Sequence, residues 1–199
     1  MNKYFKRTAL IIAFTMLNVT SHAAETENRA LVVCYSRDGH TKMVAEKLAE
    51  KFNADIEILI DKKNRTGALG NMNAGNDALM HKTTTIEPLQ HNPADYDIIL
   101  IGTPAWFSNM TPAVRTFITQ TDLTGKTVGY FATCHRVGAD KAAAQMAELV
   151  SKGSSDPKTH LPLNHKDIES RLDEKLTEFY VNILSSANSG PHPALNKGE

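Results

Sequence analysis

From Arg29 onward the chain alternates short, unbroken apolar runs with longer stretches in which apolar residues recur every three to four positions. That alternation marks βαβ units around a parallel sheet, because a strand covered by helices on both faces shows no polar side. Residues 30–35 (Ala-Leu-Val-Val-Cys-Tyr) form the first such run, apolar on both faces and therefore central. A helix is predicted over 40–52, where Val44, Leu48 and Phe52 repeat beside Ala45 and Ala49. Strands are predicted at 55–60 and 96–101. Thr111-Pro112 opens a further helix, a capping hydroxyl followed by proline at the first helical position, with Val114, Phe117 and Ile118 as its buried stripe. A fourth strand at 127–132, an alanine-rich helix at 140–150 and a fifth strand at 159–163 follow. Ile168, Leu172, Leu176, Phe179 and Ile183 mark a closing helix. After Leu184 the composition turns to Ser, Gly, Pro, Asn and Lys, so 185–199 reads as a solvated tail.

Five strands alternating with helices, beginning with a central strand, predict a doubly wound α/β fold: a five-stranded parallel sheet in the order 2-1-3-4-5. In that order the first and third strands are neighbours whose following loops leave in opposite directions, and the crevice between those loops is where ligands bind.

The first 23 residues stand apart. Lys3, Lys6 and Arg7 precede a short, mostly apolar run over 8–20, and Ser21-His22-Ala23 places small residues where a signal peptidase cuts. The expectation is export, to the periplasm, with cleavage after Ala23; the alternative is a buried N-terminal helix. The run is shorter than the ~20 apolar residues that span a bilayer, so no membrane anchor is expected. What remains, 24–184 and the tail, suits one domain. Removing the leader takes three of 22 basic residues and none of the 22 acidic ones, leaving 19 against 22. That balance argues against a nucleic-acid or anionic-membrane binder.

Cys34 and Cys134 are the only cysteines. Each falls at the end of a predicted strand with another strand between them, and two inter-strand steps of ~4.8 Å exceed the roughly 7 Å a disulfide tolerates. No histidine is spaced with the thiols as a zinc site requires.

The chemistry gathers in two loops. After the first strand comes Ser36-Arg37-Asp38-Gly39-His40-Thr41, short polar residues around one glycine leading into a helix. Backbone N–H groups of such a turn, with the free donors and positive dipole end of the helix, make a concavity for a phosphate; a simple helix cap is the alternative. After the third strand comes a loop over 102–110 that carries the only tryptophan, Trp106, followed by Phe107. Two large aromatics there either plug a core or offer a stacking surface to a planar ligand.

With these motifs in order, the stretches 35–41, 101–118 and 126–134 resemble the flavodoxin-like family. The likeness is to a small bacterial branch with an S-R-x-G-x-T phosphate loop and a G-T-P-x-W loop before a proline-led helix. Residues 61–82, with Gly67, Gly70 and Gly75 before Asp77-Ala78-Leu79, resemble that branch too. The resemblance implies FMN, its phosphate held in the loop of Ser36, Arg37, Asp38, Gly39, His40 and Thr41. The isoalloxazine ring would lie between Pro104-Ala105-Trp106-Phe107 and the loop of Thr133, Cys134, His135, Arg136 and Gly138.

Two departures qualify it. Asp38 stands where the branch commonly has threonine, and a carboxylate beside a phosphate weakens binding unless it points to solvent or pairs with Arg37. His135 and Arg136 stand where the family has small residues. An Arg136 reaching the pyrimidine edge would raise the flavin potential, whereas an exposed, salt-bridging Arg136 would not. His135 is either a proton donor or a polar loop residue, and Cys134 either a redox thiol or packing. The leading expectation is an FMN-binding electron-transfer protein or oxidoreductase of the cell envelope, with a small molecule or a protein as redox partner. An NAD(P)H:quinone reductase type would call for an open ring face and a homodimer that completes the site. A flavin-free module that keeps the fold for another phosphorylated ligand or a partner is the rival.

Overall fold

The computed structural model describes residues 28–65, 67–151 and 156–189; the expected leader and residues 190–199 lie outside them. In chain order the elements are β1 (Ala30–Cys34), α1 (His40–Phe52), β2 (Asp55–Ile58), α2 (Gly67–Leu79), β3 (Ile98–Pro104) and α3 (Pro112–Gln120). They continue with β4 (Thr127–Cys134), α4 (Ala139–Ser151), β5 (His160–Asn164), α5 (His165–Ser170) and α6 (Leu172–Ser189). All strand pairs are parallel and the sheet order is β2-β1-β3-β4-β5, as the apolar pattern predicted.

Strand pleating sorts the core into two layers. Leu31, Val33, Ile99, Ile101, Tyr130 and Ala132 face α3 and α4, where Val114, Phe117, Ala143 and Met146 meet them. Val32, Cys34, Ile98, Leu100, Phe131 and Leu163 face α1 and α6, against Val44, Leu48, Phe179 and Ile183. Every residue of β1 is buried, which is why its sequence shows no polar side.

Several boundaries differ from those the pattern suggested. β3 runs to Pro104 and β4 to Cys134, because ladder pairing of Gly102, Thr103 and Pro104 with Phe131, Ala132 and Thr133 does not need apolar side chains. A Cβ at Gly102 would collide with the Phe131 ring, so the glycine makes room for it. β2 stops at Ile58, two residues short. The closing helix is two helices. Asn164 and Asp167 cap α5 reciprocally, and α6 begins after Arg171 and continues to Ser189, past the point where the composition turns polar.

α2 was not expected, since its three glycines lower helix propensity. Two of them permit close approach: Gly70 lies against the Arg65 backbone and Gly75 under the Phe107 ring. The segment before α2 is tied down by charge. Asp77, almost buried, accepts from Lys63 at 2.7 Å, from Arg65 and from Lys82 at 3.2 Å, while Arg65 also donates to Asp61 at 2.9 Å. The Lys63 ammonium foremost, helped by Arg65 and Lys82 against the opposing effect of burial, holds the Asp77 carboxyl well below the usual carboxylate range. Cys34 and Cys134 are both free thiols, on β1 and β4 with β3 between.

Candidate functional site

The crevice opens at the carboxyl ends of β1, β3 and β4, the point at which strand order reverses. A cavity of about 310 Å³ lies there. One wall is the β1–α1 loop with Ser36, Arg37, Asp38, His40 and Thr41; another is Pro104, Ala105 and Trp106 after β3; a third is Thr133, Cys134 and His135 at the end of β4.

Gly39 makes the first wall possible. Its φ of 88° is a left-handed conformation that glycine adopts without strain, and it turns the chain so that α1 starts directly at His40. The helix has no side-chain cap, so its first N–H groups point outward unclaimed by a capping oxygen. Beside them the Ser36 hydroxyl is buried and has no hydrogen-bond partner among the described residues. The Thr41 hydroxyl instead shares a 2.8 Å bond with that of Thr133, which stitches the start of α1 to the end of β4. Arg37 and Asp38 form a two-pronged pair, Nε to Oδ1 and Nη2 to Oδ2 each at 3.1 Å, and the guanidinium lies 5.4 Å from the centre of the Trp106 ring.

The second wall is a tight turn over 106–109. Trp106 and Asn109 exchange backbone bonds at 2.9 and 3.0 Å, and Phe107 and Ser108 both take left-handed φ, 47° and 60°. Buried Asn109 secures the turn, donating to the Phe107 carbonyl and accepting from Gln145 of α4 at 2.6 Å. Trp106 meets Tyr35 edge-on, ring centres 5.5 Å apart, and the Ala105 amide donates to the Thr133 carbonyl at 2.8 Å. Burial, and next the charge of Asp61, raises the Tyr35 phenol.

Besides Gly39, which shapes the first wall without lining it, three expected residues stand outside the cavity. The turn that presents Trp106 sends Phe107 the other way, onto Gly75 of α2, where it is 68% exposed. Arg136 is exposed and does not line the cavity, so this structure does not bring it to a ring edge. Gly138 is buried with φ 105° and packs against Ser108, so it shapes the second wall from behind. Burial foremost raises the Cys134 thiol above its ordinary value, which leaves it a poor nucleophile.

Two lining residues were not expected at the site, His165 and Ile168 of α5; the apolar pattern marked Ile168 only as part of a helix stripe. The pairing of β5 with β4 brings α5 to the crevice: the His165 amide donates to the His135 carbonyl at 3.3 Å, and the two imidazoles lie 5.4 Å apart. The pocket as a whole offers anion donors at one end and an aromatic wall a few residues away, which is the polarity of a ligand with a charged tail and a flat head.

Residues 29–174 match a family profile described as flavodoxin. Among solved structures, the chain is similar to a candidate flavoprotein of Bacteroides eggerthii, at 23% identity and a TM-score of 0.58, over 74% of this chain and 97% of that one. A Lactobacillus acidophilus flavoprotein, solved in complex with FMN, is similar at 18% identity and a TM-score of 0.56, over 71% and 97%. A flavodoxin of WrbA-like type from Agrobacterium tumefaciens is similar at 16% identity and a TM-score of 0.53, over 82% and 99%. At these identities the likeness is one of fold.

Proposed function

This chain belongs to the flavodoxin family, and from that membership we propose that it binds FMN in the β1/β3 crevice and serves electron transfer or flavin-dependent oxidoreduction. The observation that carries the reading is the Ser36 hydroxyl. A buried hydroxyl with no partner is a standing cost of about 1–3 kcal/mol, and this one sits beside the open helix start where a phosphate oxygen would satisfy it. The residues fit the group in a second respect. Trp106, braced by Tyr35 and the 106–109 turn, gives the cavity a rigid aromatic wall for a planar ring.

FMN supplies the redox chemistry when bound. The chain's own residues bind and orient. The N–H groups opening α1 and the Ser36 hydroxyl receive the phosphate, the Thr41–Thr133 bond holds those donors at a set distance from β4, and Trp106 with Pro104 flanks the ring. His135 and His165 line the cavity together, their rings 5.4 Å apart.

The test is direct. Purified protein is titrated with FMN while the fluorescence of Trp106, the chain's single tryptophan, is followed. The expected result is saturable quenching with the yellow absorbance of bound flavin; a colourless protein whose emission never changes overturns the reading. Steady-state assays with NAD(P)H and quinones then separate a reductase from a carrier.

The cell envelope belongs to the same proposal, supported by the Lys3, Lys6, Arg7 start and the apolar run that follows. N-terminal sequencing of protein from the periplasmic fraction is expected to begin at Ala24, and an intact Met1 on cytoplasmic protein rejects it.

A further inference from the structure

We propose that Asp38 sets which flavin the pocket accepts: by filling the side-on fork of Arg37 and placing a carboxylate on the cavity wall it makes binding ring-led, so that phosphorylated and unphosphorylated flavins bind with similar strength. The inference rests on the flavin reading above and concerns the anion end of the same site. Among the described residues Arg37 is the one guanidinium on the cavity wall, and its side-on fork, Nε with Nη2, one of the two edges with which a guanidinium can grip a phosphate by parallel bonds, is already used. Its Nε and Nη2 donate to the two Asp38 oxygens at 3.1 Å each, and its plane lies over Trp106. Presenting that fork to a phosphate would break both bonds.

Asp38 itself lines the cavity. A phosphate dianion at the start of α1 therefore meets a carboxylate from the very loop that donates to it, and like charge opposes it. Besides Arg37, the loop offers a phosphate the backbone donors of α1, the Ser36 hydroxyl and, where Thr133 donates in the Thr41–Thr133 bond, the Thr41 hydroxyl. The ring end has no such opposition. Pro104, Ala105 and Trp106 present the same wall whether or not the ligand carries a phosphate.

Binding of FMN and of riboflavin to the purified chain, measured by Trp106 and flavin fluorescence, tests this. For the wild type the two dissociation constants are expected within about tenfold of each other. Asp38→Asn, at a mostly exposed side chain, is expected to keep riboflavin within about twofold and to tighten FMN by about tenfold or more as the fork becomes available. The double variant Arg37→Ala/Asp38→Asn is expected to lose that gain, which assigns it to the guanidinium and not to charge alone. An unchanged FMN-to-riboflavin ratio in Asp38→Asn overturns the inference while leaving FMN binding in place. Loss of riboflavin binding in Asp38→Asn overturns it as well, because Asp38 would then support the ring. A wild type that binds neither flavin overturns the flavin reading itself.

Discussion

Ser36 is the side chain at which the free and the ligand-bound protein should respond with opposite sign. Its hydroxyl is buried without a partner, so Ser36→Ala removes an unsatisfied group and is expected to stabilise the free protein by up to about 1 kcal/mol. The same change removes a donor to a charged phosphate, and FMN affinity should fall by about tenfold. Thermal melts and flavin titrations of one variant check both signs; a destabilised variant with unaltered affinity would mean that the hydroxyl serves the fold. The β1–α1 loop was readable from sequence as a wall of the crevice because the motif is local: six consecutive residues and the helix they open make the turn among themselves. Arg136 and Phe107 were not, since a residue number says nothing about which way a tight turn sends its side chain. Phe107 points at Gly75, thirty-two positions earlier, and Arg136 to solvent.

Among the elements, α2 and the 106–109 turn act on each other. Gly75 leaves the space that the Phe107 ring takes, and the turn that seats Phe107 also aims Trp106 at the cavity. Gly75→Val therefore sets a steric conflict against a gain in helix propensity that is at most about 1 kcal/mol. The conflict is expected to win, displacing Phe107, loosening the turn and weakening FMN binding severalfold, with net destabilisation of about 1–3 kcal/mol. Denaturant unfolding and flavin titration of the variant test this; native affinity with native stability would show that the Phe107 seat has no bearing on Trp106. The helix that supplies Gly75 is the one element the apolar pattern left out. Glycine usually argues against helix, and here the tertiary contacts require it.

For the whole molecule, ionisation bounds stability on both sides. Asp77, held low foremost by the Lys63 ammonium, and Asp167, held low by the Asn164 amide and Lys175 in spite of burial, contribute stability above the ordinary carboxylate value near 4 and lose it as pH falls. On the alkaline side the sign reverses. Burial pushes the Cys34 thiol from 9.0 up to about 12, so above pH 9 the unfolded chain releases a proton that the folded one keeps, and stability falls with rising pH. Burial does the same to Tyr96, raised to about 12. A plateau in unfolding free energy between about pH 5 and 8.5 is expected, with Asp77→Asn flattening the acid fall at a cost of about 3–5 kcal/mol, because Arg65 would lose a buried partner. A pH profile whose acid limb is unaltered in Asp77→Asn would remove that residue from the account. Ligand binding should raise the whole curve. At FMN a hundredfold above its dissociation constant the gain is about 2.7 kcal/mol, or roughly 5–10 °C in melting temperature, and a melt indifferent to FMN would speak against a site in the native state.

The alternation of apolar runs with helical periods was enough by itself to determine the order of the strands, the central position of β1 and β3, and hence the place where a ligand crevice opens. These follow from burial, which is written residue by residue. The β1–α1 loop and Trp106 were legible for the same reason, being short segments next to elements of known direction. The α5 side of the pocket was decided only in three dimensions. His165 and Ile168 reach it because β5 pairs with β4, and their neighbours in the other walls lie 30 to 132 positions away along the chain. The Arg37–Asp38 pair also needed the fold, for adjacent residues on a loop meet or part according to the backbone between them, and here a left-handed glycine just after them sets the turn.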